Sequence, residues 1–90
     1  MAATTLAAEV LKDDLAVTLA RIMAAANKCA SEAGIDVHQS LISITQFFRD
    51  DDFVWRVNYG PKDYIGRRGG DLMVEVEPRR GTVLKVLRGQ

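Results

Sequence analysis

The sequence predicts an α+β fold in which one long N-terminal helix packs on a four-stranded antiparallel meander sheet. Three observations carry that prediction. Residues 5–33 contain no Pro or Gly and repeat apolar side chains at steps of three and four. From Leu41 onward the spacing of apolar residues falls to two, the period of a strand. The alternating runs are joined by short segments rich in Asp, Gly and Pro, which turn a chain back on itself.

In the helix, Leu6, Val10, Leu11, Leu15, Leu19, Ile22, Met23, Ala26, Cys29 and Ala30 fall on one stripe. Thr4 or Thr5 is placed to cap the N-terminus, and Glu9 lies where the helix dipole favours a negative charge. Gly34 is expected to be the left-handed residue that ends the helix. A continuous helix over 5–33 is about 40 Å long. That exceeds the width of a small sheet, so part of it is expected to overhang or to pack on something outside the chain.

After a linker over 34–39, strands are expected at 41–48 and 53–59, joined by a turn at 49–52. A Gly-rich loop with one Pro occupies 60–70, and a hairpin follows with strands at 72–77 and 82–87. Its turn is Pro78-Arg79-Arg80-Gly81, where Pro fixes the first turn residue and Gly permits positive φ near the last. The order α-β-β-β-β, without internal repeats or a low-complexity tail, reads as a single domain over 1–90.

Alternation divides the sheet into two faces. The helix is expected over Ile42, Ile44, Phe53, Trp55, Val57, Leu72, Val74, Val76, Leu84 and Val86. The other face keeps Leu41, Phe47, Val54, Met73, Val83 and Leu87 among Ser43, Thr45, Arg56, Glu75 and Lys85. Those six apolar residues read as an interface, because a one-sided sheet is ordinarily more polar on its wet face. Side chains that simply suit a pleated surface give a second account of them. A symmetric homodimer is the simplest partner, and another protein is the alternative.

The chain has 90 residues, 48% hydrophobic and 27% charged, with twelve basic residues balancing twelve acidic ones. No net field draws it towards nucleic acid or a membrane. The charge is nonetheless uneven: residues 1–52 carry four basic and eight acidic side chains, and 53–90 carry eight and four. One Cys and one His leave no disulfide framework and no common zinc constellation, so no metal or cofactor is expected. Lys12, Asp13 and Asp14 interrupt the first apolar run, so no secretory signal is expected. No stretch approaches the roughly 18 apolar residues of a membrane span. A cytoplasmic protein without membrane partners is the expectation.

Candidate chemistry is sparse. In the loop Gly66-Arg67-Arg68-Gly69-Gly70, two arginines between glycines are suited to gripping phosphate. With Tyr64 and Trp55 they form the candidate binding residues, and nucleic acid or another polyanion is the alternative ligand. The string IGRRGG resembles the Gly-x-x-Gly loop of KH RNA-binding domains, although that family sets the loop between two helices and here a strand follows. A small apolar ligand near Trp55 and Tyr59, between helix and sheet, is a third possibility. Asp50-Asp51-Asp52 lacks the Gly and Glu of a calcium loop and reads as a tight turn. Cys29 shares the buried helical stripe, and His38 sits in the linker with only Asp36 nearby. No catalytic set emerges, so an enzyme is not expected.

Trp55-x-Val57, the run Gly69-Gly70-Asp71-Leu72-Met73-Val74-Glu75-Val76, and Gly81-Thr82-Val83-Leu84 make a recognisable cadence. It resembles the strand–turn–strand ending of PepSY-type domains and of NTF2-fold immunity proteins of the cystatin-like group. Glu77 and Gly81 occupy the places of the acidic residue and the glycine at that turn. The resemblance implies a helix on a curved antiparallel sheet, an α+β fold of a binding kind more than any activity.

Overall fold

The computed structural model describes residues 8–61 and 71–89. They form α1 (Ala8–Lys12), α2 (Asp14–Glu32), a single 3-10 turn (Val37–Gln39), and strands β1 (Ser40–Arg49), β2 (Asp52–Pro61), β3 (Leu72–Glu77) and β4 (Thr82–Arg88). The fold is α+β: the long helix α2 packs on a four-stranded antiparallel meander in the order β1-β2-β3-β4.

The helix expected over 5–33 is broken at Asp13. That residue has extended backbone (φ −92°, ψ 108°), and its side chain accepts the Ala16 N–H at 3.0 Å. An aspartate is a strong N-cap, and a second one, Asp14, follows where the dipole favours it. The 19 residues of α2 therefore make a rod of about 28 Å. The short α1 buries nothing, and Val10, Leu11 and Leu15 remain exposed around the break. Thr4, Thr5 and Leu6 lie outside the described residues.

The other end follows the expectation. Gly34 has φ +86°, its N–H donates to Ser31 O at 3.0 Å, and the Ile35 N–H donates to Ala30 O at 2.9 Å. Those two bonds satisfy carbonyls that a helix end leaves open. Asp36 then caps the 3-10 turn by accepting the His38 N–H at 3.1 Å.

The β1–β2 hairpin turns on Asp50 (φ 52°) and Asp51 (φ 65°), with Arg49 opposite Asp52. Two consecutive positive φ angles define the tight turn whose twist matches paired strands. Between β3 and β4 the Glu77 carboxylate accepts the Arg79 and Arg80 N–H groups at 2.6 and 3.0 Å. Gly81 takes φ +69° there, and its Cα faces the helix so closely that a Cβ would stand 3.0 Å from Arg21 Cγ.

The core lies between α2 and the middle strands. Ile22, Ala26 and Ala30 meet Trp55, Val57, Tyr59, Leu72, Val74 and Val76. Small residues on the helix let it approach the sheet closely. Tyr59 donates to Asn27 Oδ1 at 2.6 Å, Arg21 donates to Pro78 O at 3.1 Å, and Arg88 donates to Ala33 O at 3.0 Å. These bonds tie the helix to the sheet along its length. The Tyr59 phenol is pushed up to about 12 by desolvation, with a smaller contribution from Cys29.

One register irregularity corrects the expected faces. A bulge at Glu75/Val76 places Val83 opposite Val76, in the helix-facing row, and leaves Leu84 as the extra residue. Leu84 lines a depression with Glu77 and Thr82 on the opposite side. Strict alternation assigns these two residues the other way round. The bulge is the reason it fails.

Candidate functional site

The sheet face turned away from the helix is not the open apolar surface that alternation predicts. Its centre is closed by a charged cluster. Glu75 is only 1% exposed, and its two carboxylate oxygens accept Arg49 Nη1 at 2.8 Å, Arg49 Nη2 at 3.0 Å and Arg56 Nη2 at 2.9 Å. Both guanidinium groups stack over the Phe47 ring, 5.1 and 4.7 Å from its centroid. Arg49, from β1, makes the forked pairing that suits a carboxylate, while Arg56 reaches it from the adjacent strand β2. The Arg49 hydrogen bonds hold the Glu75 carboxyl below the usual range, with Arg56 adding to them against the opposing effect of burial.

This cluster changes the standing of the six residues assigned to an interface. Val54, opposite Phe47, is 6% exposed and belongs to the interior. Phe47 and Met73 are half-buried. Val83 sits in the helix-facing row by the bulge. Leu41 and Leu87 are exposed at the outer strands. The sequence places Arg56 and Glu75 on this face, but nothing in it signals that long arginine stems would cover their apolar neighbours.

Several large apolar side chains are also exposed on the helix side. Helix α2 lies chiefly over β3, with lesser contact to β2 and β4 and none comparable to β1. Ile42 and Ile44, opposite Tyr59 and Val57, are therefore each 38% exposed instead of covered. Phe48, 66% exposed, stacks against Phe53 with ring centroids 4.0 Å apart. On this face Ile42 and Ile44 of β1 and the Phe48–Phe53 pair across β1 and β2 make an exposed apolar strip beside the helix, interrupted by Gln46. On the opposite edge, Val86 is also exposed.

Among the other candidates, Trp55 is 8% exposed and built into the core, with its Nε1 buried and unpaired among the described residues. Ile22, Ala26 and Ala30 share one buried cluster with Trp55 and Tyr59. Tyr64, Arg67 and Arg68, with the rest of their loop, lie outside the described residues. A depression of about 370 Å³ is lined by Asp52, Glu77, Arg79, Arg80, Thr82 and Leu84. Its Glu77 carboxylate is already engaged by the turn amides, and Asp52 accepts the Phe53 N–H at 2.9 Å. Among the described residues no three His, Cys, Asp or Glu side chains converge as metal ligands, and no helix is long and apolar enough to cross a membrane.

Comparison with protein-family models, with curated proteins and with solved structures finds no match.

Proposed function

We propose that this chain is a non-catalytic binding module that self-associates, with a second copy of itself as the primary partner. The observation that carries the reading is the apolar strip of Ile42, Ile44, Phe48 and Phe53, which lies in the open beside α2. Large apolar side chains left exposed near one edge of a small fold are a common site of association. A chain of this size buries a modest share of its surface alone and gains stability from a partner. At the centre of the sheet the Glu75 carboxylate is matched by Arg49 and Arg56, while Arg56 Nε is buried without a partner among the described residues; the pairing supports a structural role for the cluster over a chemical one.

The helix laid on an antiparallel meander is in keeping with the arrangement implied by the PepSY-type and NTF2-fold resemblance. The proposal takes from that likeness only a binding role. Cys29 is free, and the proposed compartment is the reducing cytoplasm.

Sedimentation velocity or light scattering across micromolar concentrations tests self-association. A mass of twice 9.9 kDa, approached as concentration rises, is the expected result. A single 9.9 kDa species at every concentration up to several hundred micromolar (roughly the range of weak dimers) overturns the reading.

A further inference from the structure

We infer that the second copy docks on the outer edge of β1, which carries no partner strand among the described residues, pairing strand to strand in antiparallel fashion about a two-fold axis at Thr45. The inference rests on the self-association proposed above and names its site and geometry. The two outer strands of the sheet differ in kind. Strand β4 carries Lys85 and Arg88 and is bent by a bulge, features that discourage pairing with another strand. Strand β1 runs from Ser40 to Phe48 without a charge, a proline or a register irregularity. A long, unguarded edge of that kind is a template for another strand.

The backbone supplies the docking groups. The two-residue turn at Asp50 and Asp51 makes Arg49 and Asp52 a hydrogen-bonded pair. Hydrogen-bonded and non-bonded pairs alternate along an antiparallel ladder. The odd-numbered residues of β1 therefore bond to β2, and Ile42, Ile44, Gln46 and Phe48 direct their N–H and C=O groups outward. A two-fold axis at Thr45 sets Ile42 opposite the partner's Phe48 and Ile44 opposite the partner's Gln46, each pair occurring twice. Aromatic–aliphatic cross-strand pairs of this sort stabilise sheets. The only charge on the strand, Arg49, meets the partner's Leu41 while its guanidinium stays on Glu75. Both helices then lie on one side of an eight-stranded sheet, with the two apolar strips meeting between them. Stable interfaces begin at roughly 1,200 Å², and a single strand pair with its flanking side chains makes a small one. The dimer is accordingly reversible.

The test uses the full chain with Cys29→Ala, carrying either Thr45→Cys or Lys85→Cys, under mild oxidation. Across the proposed axis the Thr45 positions are direct neighbours. With strands about 4.8 Å apart, the two Lys85 positions are separated by about 34 Å. Rapid disulfide-linked dimer from Thr45→Cys alone is the expected result, and loss of the dimer in Ile44→Lys, with an unchanged circular dichroism spectrum, is its companion. Phe48→Lys, at the most exposed strip position, serves if Ile44→Lys does not fold. A wild-type dimer that survives the folded lysine variant, or that cross-links through Lys85→Cys instead, overturns the edge docking and leaves self-association standing. A wild-type monomer at all concentrations removes both.

Discussion

A carboxylate 1% exposed on the sheet face without a helix requires its own cover, and Glu75 receives it from Arg49 and Arg56. The two arginine side chains are themselves 42% and 40% exposed, so solvent screens part of their attraction. Glu75→Ala is expected to lower stability by roughly 1–3 kcal/mol, mostly by leaving Arg49 and Arg56 without their acceptor. The same contact makes stability depend on acid. Because the folded carboxyl titrates below the ordinary 4.5, its contribution is complete above that value and disappears as pH falls through the lower folded one. Urea unfolding between pH 6 and pH 2 should show that loss in the wild type and a flatter profile in Glu75→Gln. Tyr59 behaves oppositely. Its phenol is raised from 10.0 to about 12, so the neutral form favours folding below 10 and that contribution fades as pH climbs through 12. Ultraviolet titration should reveal one late-ionising tyrosine that Tyr59→Phe removes. Neither residue announces itself in the sequence. Glu75 looks like an ordinary wet-face position of strand β3, and only the meeting of three strands gives it partners.

At the scale of elements, the turns record how much the local sequence decides. Gly34 and Gly81 both hold positive φ, yet their surroundings differ. A Cβ at Gly34 meets nothing within 4 Å, whereas at Gly81 it presses on Arg21 Cγ at 3.0 Å and faces Arg21 O at 3.6 Å. Gly34→Ala should therefore cost about 1 kcal/mol, the conformational term alone, and Gly81→Ala should cost measurably more in the same chemical denaturation series. Both glycines are legible as turn residues because their neighbours supply the pattern around them. The break at Asp13 is harder to see, since an apolar stripe running through Val10, Leu11 and Leu15 favours continuity while a capping aspartate favours a new start. The bulge is invisible for another reason. Thr82–Arg88 alternates as well with an extra residue as without one, so only pairing with Glu75 and Val76 reveals that Val83 and Leu84 have exchanged faces.

Over the whole molecule, period-two spacing sorts residues onto two faces but does not say which strands the helix covers. That is why the expected apolar surface and the observed one differ. Ile42, Ile44 and Phe53 belong to the helix side as expected, but α2 is displaced towards β3 and leaves them beside it in the open. The consequence is thermodynamic as well as geometric. A protein whose folded state associates and whose unfolded state does not becomes more stable as its concentration rises. Each tenfold increase adds about 1.4 kcal/mol per mole of dimer while association persists, and this moves the thermal midpoint by roughly 3–6 °C. Calorimetry across two decades of concentration should show that rise in the wild type and a fixed midpoint in Ile44→Lys. Because Ile44 is already 38% exposed, a lysine there extends into solvent from a folded monomer and need not disturb the core. A midpoint that stays constant in both proteins would mean that the open strip contributes no association to the folded state, whatever its chemistry.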